Sequence, residues 1–443
     1  MPKIVVEPPG PASNNLRKMD EEYVYGCLWL GGKQLPIAIS EGEGALVKDV
    51  DGNQYLDFTS GLAVCNVGHR HPKVIEAAKK QMDKLVHISQ HIAIYEPYTK
   101  LAEKMAEIAP SGLVRSFFCN GGGEAMEGAV KVARFATEKA VLLAFTGAFH
   151  GQTTGMMNLS ASVSEWKYGF QLPYPGIIHV PFGNCYRCAL HQEYPGCDIA
   201  CLDFIEHVLD HVVFPEEVAG VVFEPIQGEK GVIIPPEGFP QKLEKICRSH
   251  DMLMITDEVQ TGFGRTGKMF AAEHWNLHPD IMAFAKGIAG GFPLGGFITR
   301  DDLTRLSITH GSTFGGNPVS CAAALATIDV LIKEKLPERA SKLGVNALKR
   351  LVEMKEHYES IGDVRGKGLL MAMEIVKDKK TREPDTETAE DIREIAMKRG
   401  VLLTGQFGKQ TLRLIPPLTI GEDQLETGLD TVEDAVKLAE SKR

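Results

Sequence analysis

Ile281-Met282-Ala283-Phe284-Ala285-Lys286-Gly287-Ile288-Ala289-Gly290-Gly291 sets one lysine between an apolar run and a glycine-rich loop. The apolar run, bounded by turn residues, reads as a strand buried on both faces. A lysine at its end conflicts with such surroundings, because an ammonium taken out of water loses stability. One resolution is covalent: as an imine the amine has a partner, and once released it serves in proton transfer. The other is a strand-end lysine whose stem follows apolar surface while its head reaches solvent. This segment alone leaves both open.

Apolar runs of the same kind occur at 116–119, 141–145, 220–223 and 252–256, bounded by turn residues and separated by helical patterns. Such alternation belongs to a largely parallel sheet with helices on both faces, so the expected fold class is α/β. After Asn317 the texture changes. Helical patterns cover 318–334 and continue to about 357, strand-like stretches follow at 369–375 and 411–415, and helices are expected over 387–399 and 421–442. The expected organisation is an N-terminal arm, 1–54, contributing to a small domain, a large α/β domain over 55–320, and an α+β part over 321–443.

Composition bounds the function. A chain of 443 residues, 44% hydrophobic and 24% charged, can bury a large core. Its formal net charge of -10, without a Lys/Arg-rich run, argues against nucleic acid as a partner and makes small molecules the expected ligands. Residues 1–26 lack the apolar core of a signal peptide. The weakly charged stretch 281–298 is broken by Lys286, five glycines and Pro293, so no membrane span is expected and the expected location is the cytoplasm. Nine cysteines form no obligatory disulfide framework, but Cys185, Cys188, Cys197 and Cys201 make a C-x2-C-x8-C-x3-C cluster. Zinc, paired disulfides and unligated loop thiols all fit that spacing; the short gap between the two pairs favours the last, and no metal is expected.

Three further places pair an apolar run with polar residues, where ligands of a doubly wound sheet collect. Asn120-Gly121-Gly122-Gly123-Glu124 follows a strand and opens a helix, which aims backbone N–H groups and a positive helix end at a phosphate. A plain glycine turn has the same sequence. Ile255-Thr256-Asp257-Glu258-Val259-Gln260 ends an apolar run in a carboxylate, which serves either as a turn cap or as the partner of a pyridine nitrogen. Gly311-Ser312-Thr313-Phe314-Gly315-Gly316-Asn317-Pro318 offers a hydroxyl for a phosphate or a simple helix cap. Gly262-Phe263-Gly264-Arg265-Thr266-Gly267 satisfies the dinucleotide pattern G-x-G-x-x-G, but Asp257 and Glu258 would lie beside the pyrophosphate and the following helical segment is short.

Taken together, these segments resemble class III, fold-type I pyridoxal-phosphate aminotransferases, the group that includes 4-aminobutyrate and ornithine aminotransferases. The resemblance runs from about Leu35 to the C-terminus and includes Tyr55-Leu56-Asp57-Phe58, Gly68-His69-Arg70-His71-Pro72, Phe149-His150-Gly151, Glu224-Pro225-Ile226-Gln227-Gly228-Glu229 and Asp257-Glu258-Val259-Gln260-Thr261-Gly262. It implies a large domain with a mostly parallel seven-stranded sheet and a smaller α+β domain. It also implies that pyridoxal 5'-phosphate is bound as a Schiff base on Lys286, with Asp257 at the ring nitrogen and Gln260 by the phenolic oxygen. Phe149 and Val259 would enclose the ring, with His150 beside it in the Phe149-His150-Gly151 motif. Gly122 and Gly123 would hold the phosphate, joined across a dimer interface by Thr313. The implied assembly is a homodimer, or a dimer of dimers, with shared active sites.

The resemblance further implies that amino acid and 2-oxo acid substrates exchange an amino group, with Lys286 as proton carrier. In omega-aminotransferases the arginine matching Arg413 binds the α-carboxylate of glutamate or 2-oxoglutarate, and the glutamate matching Glu229 neutralises it when an omega-amino substrate is bound. A permanent structural ion pair is the alternative for these two. Gln152 stands where bacterial 4-aminobutyrate enzymes carry an arginine, and Leu62 where ornithine aminotransferases have a substrate-contacting tyrosine. Some amino-acid racemases and epimerases share the resemblance, and the same Lys286 and Asp257 would serve them.

Overall fold

The computed structural model describes residues 1–25, 35–169, 176–304, 310–405 and 410–443. The chain forms two units, Pro72–Lys335 and Met1–His71 with Leu336–Arg443. These divisions fall beyond the expected boundaries at 54/55 and 320/321. Strand Gln54–Asp57 pairs in parallel with Val401–Leu402, which ties it to the C-terminal part. Helix Pro318–Lys333 packs on helices Pro72–Met82 and Glu96–Ile108, which keeps it with the central part.

Seven strands of unit 72–335 form one sheet: β1 (Arg115–Cys119), β2 (Val141–Phe145), β3 (Ile177–Val180), β4 (Val218–Phe223), β5 (Leu253–Asp257), β6 (Ile281–Phe284) and β7 (Gly295–Thr299). Their order is β1-β7-β6-β5-β4-β2-β3. All neighbours from β6 to β3 are parallel, and β7 alone runs against both β6 and β1. Every residue of β4, β5 and β6 is buried, as expected of strands covered on both faces.

Side chains alternate across the sheet. Leu143, Phe145, Val221, Phe223 and Met254 enter one core with helices Ala200–His211 and Phe239–Ser249. Leu142, Ala144, Val222, Ile255 and Ala283 enter another with helix Gly122–Thr137. Each fully buried Leu or Phe contributes about 1.5–3 kcal/mol, so the two cores fix the strand ends firmly. Because β2, β4, β5 and β6 run in one direction, the residues that follow them share one edge of the sheet.

The other unit holds a four-stranded sheet ordered Ile39–Glu43, Leu46–Asp49, Gln54–Asp57, Val401–Leu402. Its second sheet is ordered Ile361–Lys367, Leu370–Asp378, Thr411–Leu414, Thr404–Gly405, with Glu383–Pro384 paired to the strand Leu370–Asp378. Helices Thr386–Lys398 and Glu422–Glu440 pack against each other here. Among the described residues no helix is long and apolar enough to cross a membrane.

Candidate active site

β5 stays apolar until its last two residues, and Asp257 is buried at its end. Asp257 Oδ2 lies 2.8 Å from His150 Nδ1, and Oδ1 accepts the N–H of Val259 at 2.9 Å. His150 follows the β2 turn, where its own N–H donates to Ser160 Oγ at 2.9 Å. With Asp257 as acceptor, the imidazole hydrogen is assigned to Nδ1. His150 Nε2 is then a buried atom without a hydrogen-bond partner among the described residues.

Glu258 has a different task. Its carboxylate accepts the N–H groups of Ala271 at 3.0 Å and Ala272 at 2.7 Å and the hydroxyl of Thr261. Burial pushes its carboxyl up to about 7, against those three donors. Of the two adjacent carboxylates, Glu258 braces the loop and Asp257 remains at the sheet edge.

β6 lies beside β5, with Ala283 opposite Asp257. Lys286 comes three residues later, half-buried, at the start of the short turn Lys286–Ile288. Its φ is +47°, in the left-handed region. A side chain with a Cβ costs about 1–2 kcal/mol there, and glycine would avoid the cost. Fourteen other non-glycine residues among the described ones also have a positive φ, and what sets Lys286 apart is its place just beyond β6, beside the end of β5.

Gln260 is 8% exposed, and its Oε1 is buried without a hydrogen-bond partner among the described residues. Its amide fills the space beside Gly228, where an added Cβ would fall 2.0 Å from Oε1. Only glycine fits. Phe149, half-buried, has its ring edge-on to Trp166 at 4.7 Å and 83°. Its N–H donates to Glu224 Oε1 at 2.9 Å, and Glu224 Oε2 accepts the N–H of Gly228 at 2.8 Å. Burial, and then the neighbouring Asp257, push the Glu224 carboxyl above its ordinary range, while His150 and the two N–H donors oppose the shift.

Gly122 and Gly123 open helix Gly122–Thr137, so their N–H groups have no partner in a preceding turn. A Cβ on Gly122 would come within 2.8 Å of Val259 Cγ1, and one on Gly151 within 2.7 Å of Gly123 Cα. The glycine loop therefore touches both the segment after β5 and the turn after β2. Gln152 is exposed beside it, and Glu229 is half-buried next to Gly228. Thr313 is exposed, while the neighbouring Ser312 Oγ accepts the amide of Asn120 at 3.1 Å.

Unit 72–335 thus brings together Lys286, Asp257, Val259, Gln260, Phe149, His150, Gly122 and Gly123. Leu62 and Arg413 belong to the other unit. Leu62 is 39% exposed with φ +68°, in the short turn Ser60–Ala63, where Ser60 Oγ donates to Ile415 O at 2.6 Å. Arg413 is fully buried, and its Nη2 donates to Gly405 O at 3.1 Å.

A pyridoxal group fits this set. The residues at the sheet edge offer an amine, a buried carboxylate braced by an imidazole, and a buried amide end still owed a partner. Half a turn of the Gln260 amide presents Nε2 as a donor at the same place. Glu224 was quoted in the sequence only within a motif and without a role, and Ser160 and Trp166 were not singled out. Glu224 carries the same signal as Asp257, a carboxylate directly after an apolar run, whereas Ser160 and Trp166 carry none. Among the described residues no three His, Cys, Asp or Glu side chains are arranged to hold a metal ion, and Cys185, Cys188, Cys197 and Cys201 are thiols outside any disulfide.

The family model described as aminotransferase class-III matches residues 30–436. An alanine/serine racemase of Pyrococcus horikoshii is 38% identical over 98% of this chain and 93% of its own length. A 4-aminobutyrate aminotransferase of Mycobacterium leprae is 40% identical over 97% of this chain and 96% of its own. Among solved structures, taurine:2-oxoglutarate aminotransferase from Bifidobacterium kashiwanohense, in complex with pyridoxal phosphate and glutamate, has a TM-score of 0.90 at 29% identity. That match covers 97% of this chain and 98% of the other.

Proposed function

We propose that this chain, which belongs to the class-III aminotransferases and uses pyridoxal 5'-phosphate as its cofactor, moves an amino group from an amino acid to 2-oxoglutarate. The donor in this reading is an omega-amino acid such as 4-aminobutyrate or ornithine. The observation that carries it is Lys286, held at φ +47° one strand away from Asp257.

Lys286 Nζ would hold the cofactor covalently, and Asp257, braced by His150, would pair with the ring nitrogen. Gln260 would lie by the phenolic oxygen, Phe149 and Val259 would enclose the ring, and Gly122, Gly123 and Thr313 would hold the phosphate. Bound pyridoxal phosphate supplies an electron sink for the charge that develops on the substrate carbon next to nitrogen. With its amine free, Lys286 Nζ would be the base that takes the proton from that carbon, and its ammonium would be the acid that gives it back, in transamination to a different carbon from the one it left. The resemblance assigns the substrate carboxylate to Arg413, since a guanidinium is suited to two parallel hydrogen bonds, and it names Glu229, Gln152 and Leu62 as the other substrate-contacting positions.

The assembly in this reading is a homodimer in the cytoplasm, Thr313 reaching the partner's phosphate. Val86, Ile92, Ile94 and Phe314, at 58%, 77%, 81% and 62% exposure, are large apolar side chains for a second copy to cover. Sedimentation at the mass of one chain would remove that part.

A second reading, racemisation, is favoured by the similarity to the alanine/serine racemase. There the proton returns to the same substrate carbon from the opposite face. One experiment separates the two: the purified holoenzyme is mixed with single amino acids without any 2-oxo acid, and cofactor absorbance and optical rotation are followed. Stoichiometric conversion to the pyridoxamine form supports transamination. Catalytic loss of optical activity, without that conversion, overturns it in favour of racemisation.

A further inference from the structure

Glu224 stands outside the set of residues just assigned, at the end of the strand lying between β2 and β5. Its two carboxylate oxygens do different work. Oε1 accepts the N–H of Phe149 at 2.9 Å, in the turn after β2, and Oε2 accepts the N–H of Gly228 at 2.8 Å, in the loop after β4. Gly228 is in turn the wall against which the Gln260 amide rests, since a Cβ there would fall 2.0 Å from Oε1 and 2.6 Å from Cδ of Gln260. One side chain thereby fixes the ring that covers the cofactor on one side and the amide that meets its oxygen on another.

We propose that Glu224 is a positioning residue that sets Phe149 and Gln260 around the cofactor ring at the same time, an inference that rests on the cofactor site proposed above.

A neutral side chain cannot do this. Glutamine has one acceptor oxygen and an NH2 group, so it satisfies one of the two N–H donors and confronts the other. Holding a carboxylate at 5% exposure, near the charge of Asp257, is costly for mere loop closure. The two backbone donors aimed at its two oxygens favour the ionised form and oppose the shift that burial and Asp257 impose.

The test is Glu224→Gln in the full chain, reconstituted with pyridoxal phosphate. Three quantities are read: the cofactor dissociation constant, the visible circular dichroism per bound cofactor, and the melting temperature of the cofactor-free protein. The expected result is cofactor binding weakened about tenfold and a reduced ellipticity per bound cofactor, with the cofactor-free melt lowered by no more than about 2–4 °C. Gly228→Ala, which leaves Glu224 in place but displaces the Gln260 amide, is expected to lower the ellipticity as well. Unchanged dissociation constant and ellipticity in Glu224→Gln overturn the proposal. So does a lowered cofactor-free melt with unchanged ellipticity, since that is the mark of a merely structural role. Lys286→Ala separates this failure from failure of the site itself. If the wild-type visible band survives that substitution, the site reading falls and the inference with it; if the band is lost while Glu224→Gln matches wild type, only the inference falls.

Discussion

Arg413 carries a guanidinium into complete burial in the strand Thr411–Leu414, with Nη2 on the Gly405 carbonyl. A charged hydrogen bond to a substrate carboxylate is worth about 1.5–3 kcal/mol, so Arg413→Gln is expected to raise the KM for 2-oxoglutarate about 10–100-fold. Initial rates against 2-oxoglutarate concentration check this; an unchanged KM would leave Arg413 a structural residue. His69 shows a different use of charge. Its Nε2–H donates to Asp57 Oδ2 at 2.7 Å, and that carboxylate, then Cys65, push the imidazole up to about 10. A pKa raised on folding contributes stability that is complete below the unfolded value of about 6.5 and is lost as pH rises through about 10. Partial exposure reduces the effect to about 1–2 kcal/mol. The gap in melting temperature between wild type and His69→Gln should therefore narrow from pH 6 to pH 10, and a gap that stays constant would contradict the pairing.

At the scale of elements, the join between helix Gly122–Thr137 and the segment after β5 is tight, since Gly122 has no room for a Cβ against Val259. Gly122→Ala is expected to weaken cofactor retention about tenfold, and Val259→Ala in the same chain to restore part of it by making room. Equilibrium dialysis of the three variants measures this, and additive losses in the double variant would count against the contact. The central strands were legible because burial on both faces leaves continuous apolar runs: β2 and β4 to β6 end within one residue of the expected positions. β3 and β7 were not singled out. Ile177–Val180 is a short edge strand only partly buried and interrupted by His179, and β7 begins with Gly295 and Gly296, which carry no side chain to signal burial. Asp257 stood out because it ends a run. Its brace, His150, becomes visible only once β2 and β5 are placed at one edge of the sheet.

For the whole molecule, the expected division of the chain followed changes of texture, whereas the units follow pairing: residues 54–57 join 401–402 although nearly 350 positions separate them. No local pattern encodes such a partner. Substrate choice is hidden for a related reason, since Leu62, Gln152, Glu229 and Arg413 come from four distant segments and each alone has an ordinary structural use. The cofactor linkage does not share that obscurity, because it names one atom among all the lysines of the chain. Borohydride reduction of the holoenzyme converts an imine to a stable secondary amine, and peptide mapping then locates the pyridoxyl group. The expected result is a single labelled peptide with the group on Lys286. A label on any other lysine, or none at all, would contradict the assignment.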